Sequence, residues 1–93
     1  MTARAVRRPI QGKPPAPTVE AIRIGWALHY ARKAAKMSLE QMAGRTGVHR
    51  NTIWRIERAI HPMPLDLFLR FCEALELKPS SMMSRIEAAI AQK

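Results

Sequence analysis

The sequence is short of cysteine, glycine, acid and long apolar runs, and each shortage removes a class of function. Its single cysteine, Cys72, excludes an internal disulfide and suits a reducing cytoplasm. No run of about 18 apolar residues occurs, so no segment is expected to span a membrane. The basic N-terminus leads into Pro9, Gly12 and Lys13 instead of an apolar stretch, so no secretory signal is expected. Four glycines form no Gly-rich phosphate loop. The three histidines, His29, His49 and His61, fall on different elements with no metal-ligand spacing, and no nucleophile has an evident base. No catalysis, metal or cofactor is therefore expected. Ninety-three residues make one domain with a modest core.

Acid is scarce in a patterned way. The chain carries 16 Lys and Arg against 7 Asp and Glu, a net charge of +9. Residues 1–18 hold Arg4, Arg7, Arg8 and Lys13 with no acid, and residues 31–58 hold seven bases against Glu40 and Glu57. Residues 19–30 and 59–93 are balanced. All of the excess thus lies on the N-terminal tail and one central stretch, as a polyanion partner would require.

That central stretch, residues 37–58, has the signals of two short helices joined by a tight turn. Ser38 is an N-cap, and Gln41 three residues on completes a capping box. Met37 and Met42 can close a hydrophobic staple around it. The pattern returns eleven residues later, with Val48 before His49 and Ile53 at the matching inner position. Gly47 supplies the positive φ that a sharp helix-to-helix turn needs, and Ala43 is small where two crossing helices must approach. Ile53 and Ile56 form an apolar stripe on the second helix. Arg50, Asn51, Trp54 and Arg55 share its other face, and packing does not explain them.

The stretch resembles the helix-turn-helix of the phage-repressor and Cro class, the XRE-like family. The resemblance rests on Met37-Ser38-Leu39, Met42-Ala43, Gly47-Val48-His49 and Ile53-Trp54-Arg55-Ile56-Glu57-Arg58-Ala59, and runs over residues 22–83. It implies an all-α, five-helix domain over residues 19–83 with its helix-turn-helix at 38–58. A disordered basic Pro-rich arm over 1–18 would precede it and an extended C-terminal helix over 84–93 would follow. The family also implies that Arg32 and Glu57 pair to hold the recognition helix at its docking angle. Three departures stand out. Leu39 replaces a Gln that touches a phosphate in the family, His49 replaces a Ser or Thr cap, and Ala59 and Glu76 replace two helix-ending glycines.

The remaining elements follow from periodicity. Helix 1 is expected from Thr18 as N-cap to about Lys36, with Ile24, Leu28, Ala31 and Ala35 as its core stripe. Ile22, Trp26 and Tyr30 lie on a neighbouring face and are surplus to the basic fold. They are expected to pack under the C-terminal helix or a second subunit. Helix 4 is expected over about 65–75, with Leu65, Phe68, Leu69, Cys72 and Leu75 as core. Helix 5 opens at Pro79, where a missing N–H costs nothing. Its Met82, Met83, Ile86, Ala89 and Ile90 stripe either dimerises or folds back on its own core.

The expected function is a cytoplasmic, sequence-specific regulator of transcription that binds double-stranded DNA. It is expected to act as a small repressor, a homodimer on a palindromic operator. His49, Arg50, Asn51, Trp54 and Arg55 are the candidate base readers: arginine suits guanine O6 and N7, and asparagine suits adenine N6 and N7. Ser38, Leu39, Glu40, Arg45 and Arg58 are candidates for phosphate contacts, the first three through the N-terminus of helix 2. Arg4, Arg7, Arg8 and Lys13 are either an unspecialised tail or a minor-groove arm. Ile22, Trp26, Tyr30, Met83, Ile86 and Ile90 are the candidate surface for a dimer or a regulatory protein partner. The alternative is an antitoxin-like or anti-activator-like interaction module on the same fold. RNA binding is a weaker third reading, for want of an aromatic platform.

Overall fold

The computed structural model describes residues 16–92. The proposed contacts of Arg4, Arg7, Arg8 and Lys13 lie outside the described residues. Five helices follow in order: α1 Val19–Ala34, α2 Leu39–Thr46, α3 Arg50–Glu57, α4 Leu65–Ala74 and α5 Pro79–Ala91. Among the described residues there is no strand. The all-α, five-helix class read from the sequence is the architecture observed.

Local chemistry sets the helix starts. Thr18 Oγ1 accepts the Ala21 N–H at 3.0 Å and opens α1. Ser38 and Gln41 form the reciprocal capping box of α2: the Gln41 N–H donates to Ser38 Oγ at 3.0 Å and the Ser38 N–H to Gln41 Oε1 at 2.8 Å. His49 opens α3, with Nδ1 accepting the Asn51 N–H at 3.1 Å. Pro79 takes the first turn of α5. The ends are set by left-handed residues. Gly47 lies at φ 76° after α2, whereas Lys36, Ala59 and Glu76 adopt φ 58°, 62° and 58° without being glycine. The two departures from glycine noted in the sequence thus keep the helix-ending conformation. They carry the Cβ strain that glycine would avoid. Because Lys36 is already left-handed, α1 ends at Ala34, two residues before the expected Lys36, and Ala35 becomes an exposed C-cap instead of core.

The core gathers Leu28 and Ala31 of α1, Met42 of α2, Ile53 and Ile56 of α3, Leu67, Phe68, Phe71 and Cys72 of α4, and Met82 and Ile86 of α5. Each large side chain fully buried here contributes about 1.5–3 kcal/mol. Burial also pushes the Cys72 thiol up, so it behaves as a small inert hydrophobe. The expected α4 stripe needs correction: Leu65 and Leu69 are 71% and 48% exposed, while Leu67 and Phe71 are buried. α4 carries two overlapping apolar stripes, and the one containing the bulkier Phe71 turns inward. α5 folds back on α1. Arg23 of α1 donates to the carbonyls of Ile90, at 3.1 Å, and Gln92 at its end, and Met82 and Ile86 are buried. Met83 and Ile90 of the same helix remain 43% and 36% exposed.

Ala59 gives the direct test of the strained ends. An alanine in the left-handed region costs about 1–2 kcal/mol, and glycine returns about 0.4–1 kcal/mol of that through a freer unfolded chain. Ala59→Gly should therefore raise stability by up to about 1 kcal/mol, seen as a melting temperature several degrees higher by circular dichroism.

Candidate nucleic-acid interface

α3 divides cleanly into two faces. Ile53, Ile56 and Glu57 are buried, and Arg50, Asn51, Trp54 and Arg55 are exposed, as is Arg58 just past its end. The structure thus brings the proposed readers onto one open surface, with His49 exposed at its head. The Nδ1 lone pair of His49 is spent on the cap, which leaves its Nε2 edge for a ligand. The exposed residues are not all free. Arg50 Nη1 meets Glu40 Oε2 of α2 at 2.5 Å, both side chains more than half exposed. The Arg58 guanidinium lies 4.7 Å from the Trp54 ring centre, a cation–π contact that covers one face of the indole.

α2 presents its N-terminus beside this face. Its first-turn amides, Leu39 and Glu40 included, have no intrahelical acceptors, and an anion fits there. Ser38 is partly committed, since its hydroxyl oxygen and its N–H both serve the capping box. Arg45 stands apart. Its Nη1 reaches the Ala74 carbonyl at the end of α4, at 3.4 Å, so in this structure it completes a helix end.

The position of α3 is held from α1. Arg32 grips Glu57 with two bonds, Nε to Oε2 at 2.7 Å and Nη2 to Oε1 at 3.0 Å, and its Nη1 donates to the Met37 carbonyl at 2.7 Å. Both residues are buried, at 6% and 7% exposure. His29 adds a third contact, Nδ1 to Glu57 Oε1 at 2.9 Å. Gly25, on the same helix, lies against the end of α3, and a Cβ there would meet the Glu57 carbonyl carbon at 2.9 Å. Sequence reasoning missed His29 and Gly25. The available signal was that His29 precedes Arg32 by three residues and shares its face. It also missed Arg70, whose Nη1 donates to the Thr46 carbonyl at 3.0 Å and closes the end of α2.

The surplus aromatics are left uncovered. Trp26 and Tyr30 are 52% and 67% exposed. They stand between a cleft toward Trp54 and Arg58 on one side and Arg85 and Ala89 of α5 on the other. α5 therefore does not shield them, contrary to one of the two expectations, although it lies against α1 with Met82 and Ile86 buried and its end held by Arg23. A second, apolar groove of about 600 Å³ lies between α1, α4 and α5, lined by Ile24, Ile60, Leu65, Met83 and Ile90 among others. Among the described residues no group of three His, Cys, Asp or Glu could hold a metal ion, and no helix is long and apolar enough to cross a membrane.

Residues 23–85 match the family described as Helix-turn-helix domain. Solved structures of three proteins, among others, share the fold. The clp gene regulator ClgR from Corynebacterium glutamicum superposes with a TM-score of 0.73 at 19% identity, covering 84% of this chain and 100% of that one. The restriction-modification controller protein C.AhdI from Aeromonas hydrophila gives 0.67 at 25% identity, with 70% and 98% covered. A variant of the restriction-modification controller protein C.Esp1396I gives 0.76 at 16% identity, with 83% and 98% covered. No curated protein sequence matches the chain.

Removing one partner of the buried pair strands the other. Glu57→Ala should cost about 3–5 kcal/mol, read as a large fall in the urea midpoint. The double replacement Arg32→Met with Glu57→Met should recover much of that loss, because no charge is then left buried.

Proposed function

The chain belongs to the helix-turn-helix domain family, and we propose that it is a sequence-specific, double-stranded-DNA-binding regulator of transcription. α3 enters the major groove with Arg50, Asn51, Trp54 and Arg55 toward the base edges, and His49 at its head. The N-terminus of α2, with Ser38 and the Leu39 and Glu40 amides, receives a backbone phosphate. Arg58 reaches the backbone beyond Trp54. The single observation that carries this reading is the exposed face of α3. It holds two arginines, an asparagine and a tryptophan opposite a fully buried Ile53–Ile56 stripe. The charge pattern supports it, since seven of the sixteen bases fall in residues 31–58. The similar solved proteins named as a gene regulator and as controllers point the same way.

The regulator acts as a two-fold dimer on a palindromic operator, which would place two copies of α3 in successive major grooves about 34 Å apart. Repression then follows from occlusion of a promoter. The apolar groove supports the dimer, because Ile60, Leu65, Met83 and Ile90 stay exposed around it. A second reading, a protein-interaction module, draws on the uncovered Trp26 and Tyr30. It leaves the exposed Arg50, Asn51 and Arg55 unexplained.

Titration against labelled DNA from upstream of its own gene, beside a scrambled duplex at about 150 mM salt, tests the function. Tight, salt-dependent binding to the native fragment alone is expected; equal weak binding to both would favour the interaction module. Arg55→Ala should cost about 1–3 kcal/mol on the native site and little on the scrambled duplex. An equal loss on both would make Arg55 a phosphate contact. For the dimer, Met83→Asp should halve the mass seen by light scattering, and an unchanged mass would remove this groove as the interface.

A further inference from the structure

Glu40 is the one acid between Arg32 and Glu57, in a stretch (residues 31–58) that carries seven bases. Its place in the first turn of α2 suits the helix dipole. The dipole does not explain why Arg50, ten residues on, is drawn to it. The pair joins the first turns of two helices across the turn, and among the described ion pairs Arg50 is the member of the reading face that has one. An acid here also carries a cost: it lies at the helix N-terminus that would face a phosphate, and it repels DNA.

We propose that Glu40 is a positioning residue that turns Arg50 from a general phosphate binder into a reader of guanine. This rests on the DNA-binding reading given above. The chemistry is that of the guanidinium fork. Arginine can bind either phosphate or guanine, each through two parallel donors. On an exposed helix a flexible Arg50 would swing to the nearer backbone phosphate, a contact blind to sequence. Glu40 competes for that role. With Nη1 held on Oε2 of Glu40, the remaining donors of the planar group keep one orientation. The cost of ordering the side chain is met before DNA arrives. The carboxylate also opposes any phosphate that approaches the same donors. Glu40 therefore lowers affinity for arbitrary DNA and raises discrimination at one base pair in each half-site.

Selection of the full chain on a pool of random duplexes, with sequencing of the bound fraction, tests this for the unaltered protein, Glu40→Gln and Arg50→Ala. Gln keeps the size of the side chain, and the Ser38–Gln41 capping box is untouched. The unaltered protein should enrich guanine at one position that Arg50→Ala abolishes. Glu40→Gln should relax that same position by about fivefold or more and leave the others as they were. It should also bind an unselected duplex several-fold more tightly, with a steeper salt dependence. An unchanged base pattern for Glu40→Gln would overturn the inference. So would a uniform loss at every position together with a lower melting temperature, which would mean that Glu40 only supports α2. If the unaltered protein enriches no sequence, the DNA-reading function itself fails, and this inference with it.

Discussion

The geometry of this protein depends on how closely α1 can approach the end of α3. Gly25 lets the two backbones come together, and Arg32 then closes on Glu57 with two short bonds while His29 adds a third contact. Burying a carboxylate and a guanidinium is expensive, and such pairs are weak sources of net stability. Their value here is angular. A bidentate contact tolerates little rotation, so α3 is locked about its own axis and its exposed residues face one way. Arg32 also holds the Met37 carbonyl, so the same side chain ties α1 to the entrance of α2.

Around that clasp, the helix ends are closed by long-range arginines as much as by local caps. Arg70 of α4 takes the last carbonyl region of α2 at Thr46, and Arg45 of α2 takes the end of α4 at Ala74. The exchange couples two short helices of 8 and 10 residues, and helices of that length are marginal alone in water. It also divides the arginines by task. Arg32, Arg45 and Arg70 are spent on the scaffold, and Arg50 and Arg55 of α3, with Arg58 at its end, are exposed. Composition alone counts these six as equal positive charges.

Two surfaces of the molecule have different chemistry. One carries α3, the start of α2 and the cleft edged by Trp26, Tyr30 and Trp54. A separate apolar groove has rim residues Ile60, Leu65, Met83 and Ile90 that meet solvent. A polyanion suits the first and an apolar partner the second.

Local rules determined much of this from sequence alone. Ser38 with Gln41, Thr18, Pro79 and the left-handed Gly47 each act within one helical turn, so their residue types declare their roles, and the resemblance carried by residues 37–59 implied the five-helix class. The exposed face of α3 was legible for the same reason, because a 3.6-residue period separates Ile53 and Ile56 from Arg50, Asn51, Trp54 and Arg55. Tertiary structure decided everything that depended on a partner distant in sequence. Which of two apolar stripes on α4 turned inward, with Leu65 and Leu69 left outside, was settled by the space that Phe71 fills. The sequence alone likewise left open whether α5 would fold back, how His29 would serve Glu57, and where Arg70, Arg45 and Arg50 would point. A long flexible side chain reaches a partner that only the packed helices bring near, and no local pattern records that distance.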